Sequence, residues 1–103
     1  MPTTLTTAQQ DAALAIVAQW LGTAMGYDAP APTGPDAANT GQGPMLNREW
    51  DWPNSPTPTV LLEGGPDAWA INVSHDETVR AQMREHGVYA EPWSGWALCL
   101  YPE

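Results

Sequence analysis

Between Ala8 and Met25 the apolar residues recur with a helical period. Leu14, Val17, Leu21 and Met25 fall on one line, with Ile16, Trp20 and Ala24 beside them. This predicts a helix over residues 8–25. Thr7 stands three residues before Gln10, which fits a capping box with Thr7 as N-cap. Gly26 is placed to end the helix in a left-handed conformation. Only Asp11 is charged, and the polar stripe of Gln9, Gln10, Gln19 and Thr23 is thin. A helix this apolar needs cover on more than one side, either from its own domain or from a second copy or another partner.

The pattern is lost from Tyr27 to Pro58. Pro30, Pro32, Pro35, Pro44, Pro53, Pro56 and Pro58 interrupt helices and remove ladder donors, so residues 27–58 read as a wrapping loop or a linker. Within it, Glu49-Trp50-Asp51-Trp52 alternates. In an extended chain both indoles point one way and both carboxylates the other. The pair either covers the edge of the core or forms an aromatic–acidic docking element.

Regular patterning returns at Thr59. Thr59 to Glu63 reads as a strand, Gly64-Gly65-Pro66-Asp67 as a turn, and Ala68 to Val73 as a second strand with Trp69, Ile71 and Val73 on one face. Ser74 and Glu77 fit a second capping box, opening a helix with Val79 and Met83 inward and Gly87 beyond its end. On that helix Asp76 and Arg80 are four apart, a spacing that suits an exposed ion pair. Val88 to Glu91 is a third strand, Pro92-Trp93-Ser94-Gly95 a turn, and Trp96 to Tyr101 a fourth strand. Both faces of the fourth strand are apolar, which predicts a central position.

These elements specify an α+β fold in one small domain, residues 1–103. The expected order is helix, β-hairpin, helix, β-hairpin: a four-stranded, mainly antiparallel sheet, a long Pro/Gly-rich loop, and a ββαββ core over residues 59–101.

Charge narrows the function more than the pattern does. The chain has 12 acidic and 3 basic residues, a formal charge of -9, and the three cations are all arginine. The excess is spread: residues 1–57 hold five acids and one arginine, residues 58–103 seven and two. Phosphate backbones and anionic membranes would be repelled, so direct nucleic-acid and membrane partners are not expected; a basic protein would be attracted. No positive charge precedes the first apolar run, which is also too short to span a bilayer. A cytoplasmic location follows, or the host cytoplasm for a phage-encoded chain. Absence of Lys and Phe beside abundant Ala, Gly, Pro and Thr fits a GC-rich genome. The wording of residues 62–69 and 96–102 resembles that of small actinobacterial or phage proteins, and that resemblance implies no activity.

Motifs for chemistry are missing. Cys99 is the single cysteine, within an apolar run and far from any cation in sequence, as expected of a buried structural thiol. His75 and His86, read as one helix, stand about 16 Å apart and cannot share a metal ion. The acidic pairs Glu49/Asp51 and Asp76/Glu77 have no diagnostic spacing for acid–base work. Trp93-Ser94-Gly95 lacks the first glycine of a nucleophile elbow, and Gly64-Gly65 opens no helix that would cradle phosphate.

The expectation is therefore a non-enzymatic, cofactor-free protein-interaction module, such as an inhibitor or regulator of a basic nucleic-acid-handling protein of the phage anti-defence type. Candidate contact residues are Trp50, Trp52, Glu49, Asp51, Trp93, Asp67 and Glu91. Two alternatives stand beside it: an assembly subunit of a virion or complex, self-associating through the first helix, and a Trp-lined module for carbohydrates or small molecules.

Overall fold

The computed structural model describes residues 5–27, 44–47, 58–62 and 65–103. Along the chain run α1 (Thr7–Met25), β1 (Met45–Asn47), β2 (Thr59–Leu61), α2 (Trp69–Ser74), α3 (Glu77–Glu85), β3 (Val88–Ser94) and β4 (Ala97–Pro102). The fold is α+β. Strands β2, β4 and β3 form an antiparallel sheet with β4 in the middle, and the short β1 lies against β2, giving the order β1-β2-β4-β3 among the described residues.

Three expected strands are present. The expected second strand, over Ala68 to Val73, is instead the helix α2 (Trp69–Ser74), so the helix–hairpin–helix–hairpin order is not the observed one. Trp69, Ile71 and Val73 do alternate, but Trp69, Ala70 and Val73 also share one helical face. It is these three that are buried, while Ile71 is 41% exposed. The Trp69 indole donates to the Leu62 carbonyl at 3.0 Å, which fixes α2 against the end of β2. The expected Pro/Gly-rich loop over 27–58 lies mostly outside the described residues. Within it, Met45–Asn47 is strand rather than loop, paired Leu46 to Val60.

The helix ends shift by small steps with definite causes. Thr6, not Thr7, caps α1: its hydroxyl accepts from the Gln9 N–H at 3.1 Å, and the Gln9 side chain accepts from the Thr6 N–H at 2.8 Å. Gln10 is unavailable for that box because its buried amide donates to the Leu5 carbonyl at 3.0 Å. Gly26 ends α1 with φ 66°, the left-handed conformation expected of it. For α3 the cap is Asp76, whose carboxylate accepts from the Val79 N–H at 3.0 Å; Ser74 is the last residue of α2. Asp76 Oδ2 also accepts from the Trp20 indole at 3.2 Å, so the carboxylate joins α3 to α1 where the sequence suggested a pair with Arg80.

Strand pairing sorts the side chains into two faces. Leu46, Val60, Leu98, Leu100, Val88 and Ala90 share the face that meets the helices. They pack with Leu14, Val17 and Leu21 of α1, Trp69 and Val73 of α2, and Val79 and Met83 of α3 in one core. Each fully buried aliphatic side chain there contributes about 1.5–3 kcal/mol. Gln9 Nε2 donates to the His86 carbonyl at 2.9 Å beside Gly87 (φ 71°), tying the start of α1 to the end of α3. Leu14, Val17, Trp20 and Leu21 of α1 are thus covered by the domain itself and Ile16 and Met25 in part, while Ala8, Ala15, Gln19, Gly22, Thr23 and Ala24 face solvent. No helix among the described residues is long and apolar enough to cross a membrane.

Candidate interaction surface

Strand β3 runs on past the expected turn to Ser94, through Pro92. The hydrogen-bond ladder explains how. Glu103 N–H bonds the Gly87 carbonyl at 2.9 Å, which makes 87/103 a bonded pair. By alternation 89/101 and 91/99 are bonded pairs as well, while the backbone groups of 88, 90 and 92 point away from β4. Pro92 therefore sits where its missing N–H removes no ladder bond, as proline in an edge strand should. It also leaves one donor fewer on the outer edge of the sheet.

A bulge follows. Pro92 pairs with Leu98 and Ser94 with Ala97, so Trp93 is the extra residue between them. Its indole is 44% exposed and meets Trp96 edge-on, with ring centroids 6.1 Å apart and planes at 75°. The tight turn is Gly95-Trp96, held by the Trp96 N–H to Ser94 Oγ at 3.2 Å and by the Ala70 N–H to the Gly95 carbonyl at 3.4 Å.

Tyr89 and Glu91 lie on the sheet face away from the helices, two residues apart. The Tyr89 hydroxyl donates to Glu91 Oε1 at 2.7 Å. That hydrogen bond, more than partial burial or the nearby negative charge, lifts the phenol above its ordinary range. Tyr101 lies beside Tyr89 across the strand pair, centroids 6.3 Å apart. Asp67 is exposed in the turn before α2 and, with Trp96, borders an open depression at the hairpin tip.

Of the residues singled out from sequence, Glu91 and Trp93 thus share one exposed strand, and Asp67 stands near its end. Glu49, Trp50, Asp51 and Trp52 lie outside the described residues. Sequence reasoning missed Tyr89 as a surface group. The signal for Tyr89 was available, since Val88 and Ala90 inward place it outward. Trp96, expected as the first residue of the fourth strand, instead occupies the turn and is half-buried.

Cys99 is 3% exposed on β4, with the buried Thr59 hydroxyl 3.8 Å from its sulfur. His75 caps the end of α2 and His86 the end of α3, so they do not share a helix, and both are exposed. Among the described residues no cluster of His, Cys, Asp and Glu could hold a metal ion.

Comparison with models of protein families, with curated proteins and with solved structures finds no match.

Proposed function

We propose that this chain is a non-enzymatic protein-binding module that docks through the β3–β4 hairpin, with Tyr89 and Trp93 as aromatic anchors and Glu91 and Asp67 as acidic contacts. The observation that carries the reading is the sequence Tyr89-Ala90-Glu91-Pro92-Trp93 on an edge strand. Two large aromatics, each more than 40% exposed, flank a carboxylate there. Tyrosine and tryptophan lose little side-chain entropy on docking and are the residues most often found at energetic centres of interfaces. The charge of -9 selects a basic partner and speeds its approach. A basic nucleic-acid-handling protein, with the acidic chain occupying its phosphate-binding surface, is the concrete form this takes.

The hairpin does not favour a sugar platform. Two indoles at 75° present no shared flat face on which a ring would stack.

The test is capture of a partner from extract of the producing cells on immobilised protein, with Tyr89→Ala/Trp93→Ala as the comparison bait. Retention should fall by about 2 kcal/mol or more in binding energy for the double variant, with an unchanged far-UV spectrum. Equal retention by a folded double variant would remove the hairpin from the interface.

A further inference from the structure

On the helix side of β3 lies a groove of about 150 Å³ between the strand and α2–α3. Its floor is Val73, Val79, Met83, Val88 and Leu98, each at most 3% exposed. Its rim carries Arg80 and Arg84, two of the three cations in the chain. They are four residues apart on α3 and so stack on one face.

This places two cations, with the Glu103 carboxylate beside them, at the mouth of an apolar floor on a molecule otherwise strongly acidic. The rim already shows what it binds: Arg84 Nε meets the Glu103 carboxylate at 3.3 Å. Arg80 has no carboxylate partner among the described residues. A volume of about 150 Å³ over an aliphatic floor is enough to accept a benzene ring, and a guanidinium at the mouth favours a carboxylate on that ring through charge-assisted hydrogen bonds.

We infer that this groove is a binding site for a small aromatic carboxylate, with the ring on the Val79–Met83–Val88 floor and the carboxylate on Arg80. The site borders the docking surface proposed above, because Tyr89 stands at its edge, but its floor and Arg80 take no part in that surface, and binding of a small molecule there does not depend on it.

Benzoate is the probe, with benzamide as its neutral isostere and acetate as the ring-free anion. Each is titrated into the ¹⁵N-labelled full chain and followed by amide chemical shifts. Benzoate should give saturable shifts at Val79, Met83, Val88 and Tyr89, and bind about tenfold or more tightly than either control. Arg80→Gln, at an exposed position with no ion pair among the described residues, should reduce benzoate to the benzamide level and leave benzamide unchanged. Absence of saturable shifts in the groove overturns the inference. So does equal affinity for benzoate and benzamide, or benzoate binding that Arg80→Gln does not alter.

Discussion

Asp76 holds two helices with one carboxylate, and its replacement separates those contributions. Oδ1 accepts from the Val79 N–H at 3.0 Å and Oδ2 from the Trp20 indole at 3.2 Å. Asp76→Ala removes the cap, worth about 1 kcal/mol. It also removes the negative charge at the start of α3, worth about 0.3–1 kcal/mol, and the indole's acceptor, about 0.5–1 kcal/mol net. The expected loss is about 2–3 kcal/mol. Asp76→Asn keeps a cap of comparable quality and an acceptor for the indole, so it should cost only about 0.3–1 kcal/mol.

Acid dependence follows from the same geometry. The Val79 N–H bond, opposed by partial burial and aided by the Trp20 and Thr78 N–H groups, lowers the carboxyl from its ordinary value of 3.8. A lowered native value means the charged form stabilises the fold above the unfolded value, and that stabilisation fades as pH falls through the native one. The gap between wild type and Asp76→Asn should therefore be full above the unfolded carboxyl value and close as pH falls below the lowered native one. Urea unfolding followed by circular dichroism measures all three proteins. A Trp20→Phe cycle isolates the indole bond as a coupling of about 0.5–1 kcal/mol. Equal losses for the Ala and Asn variants, or a pH-independent gap for Asn, would refute the account of the cap.

Two backbone positions give opposite expectations. Ala68 has φ 55° just before α2, where a side chain is strained, so Ala68→Gly should stabilise by about 0.5–1 kcal/mol, the strain relieved less the unfolded-chain entropy. A Cβ on Gly65 would stand 2.6 Å from Leu62 Cδ2 and 2.8 Å from Cγ, and Leu62 is itself buried, so Gly65→Ala should cost about 1–3 kcal/mol in the same urea assay.

How much of this was legible depended on which period a segment could satisfy. The first helix declared itself through many turns of repeat, and only its start was ambiguous. Thr6/Gln9 and Thr7/Gln10 both fit a capping box, and burial of the Gln10 amide decided between them. Burial on both faces of β4 was readable from Ala97 to Leu100 and follows from its place between β2 and β3. Segment 69–74 was not readable: six residues satisfy alternation and helical spacing equally, and the choice was made by packing of Trp69 and Val73. Nor was β1, whose three residues lie in proline-rich sequence and depend on β2 for their pairing. At the candidate surface, Glu91 and Trp93 were named from composition and position. Their junction on one edge strand required the bulge and the outward orientation of Pro92, which no local pattern encodes.

Binding of the captured partner across a salt series, for wild type and Trp93→Ala, tests the central claim most directly. An acidic module docking through β3 should lose affinity steeply between about 50 and 300 mM salt, as screening shortens the reach of its charge. Trp93→Ala should weaken binding at every salt concentration while leaving that slope unchanged. Affinity indifferent to salt, or a Trp93→Ala variant that binds as wild type does, would contradict it.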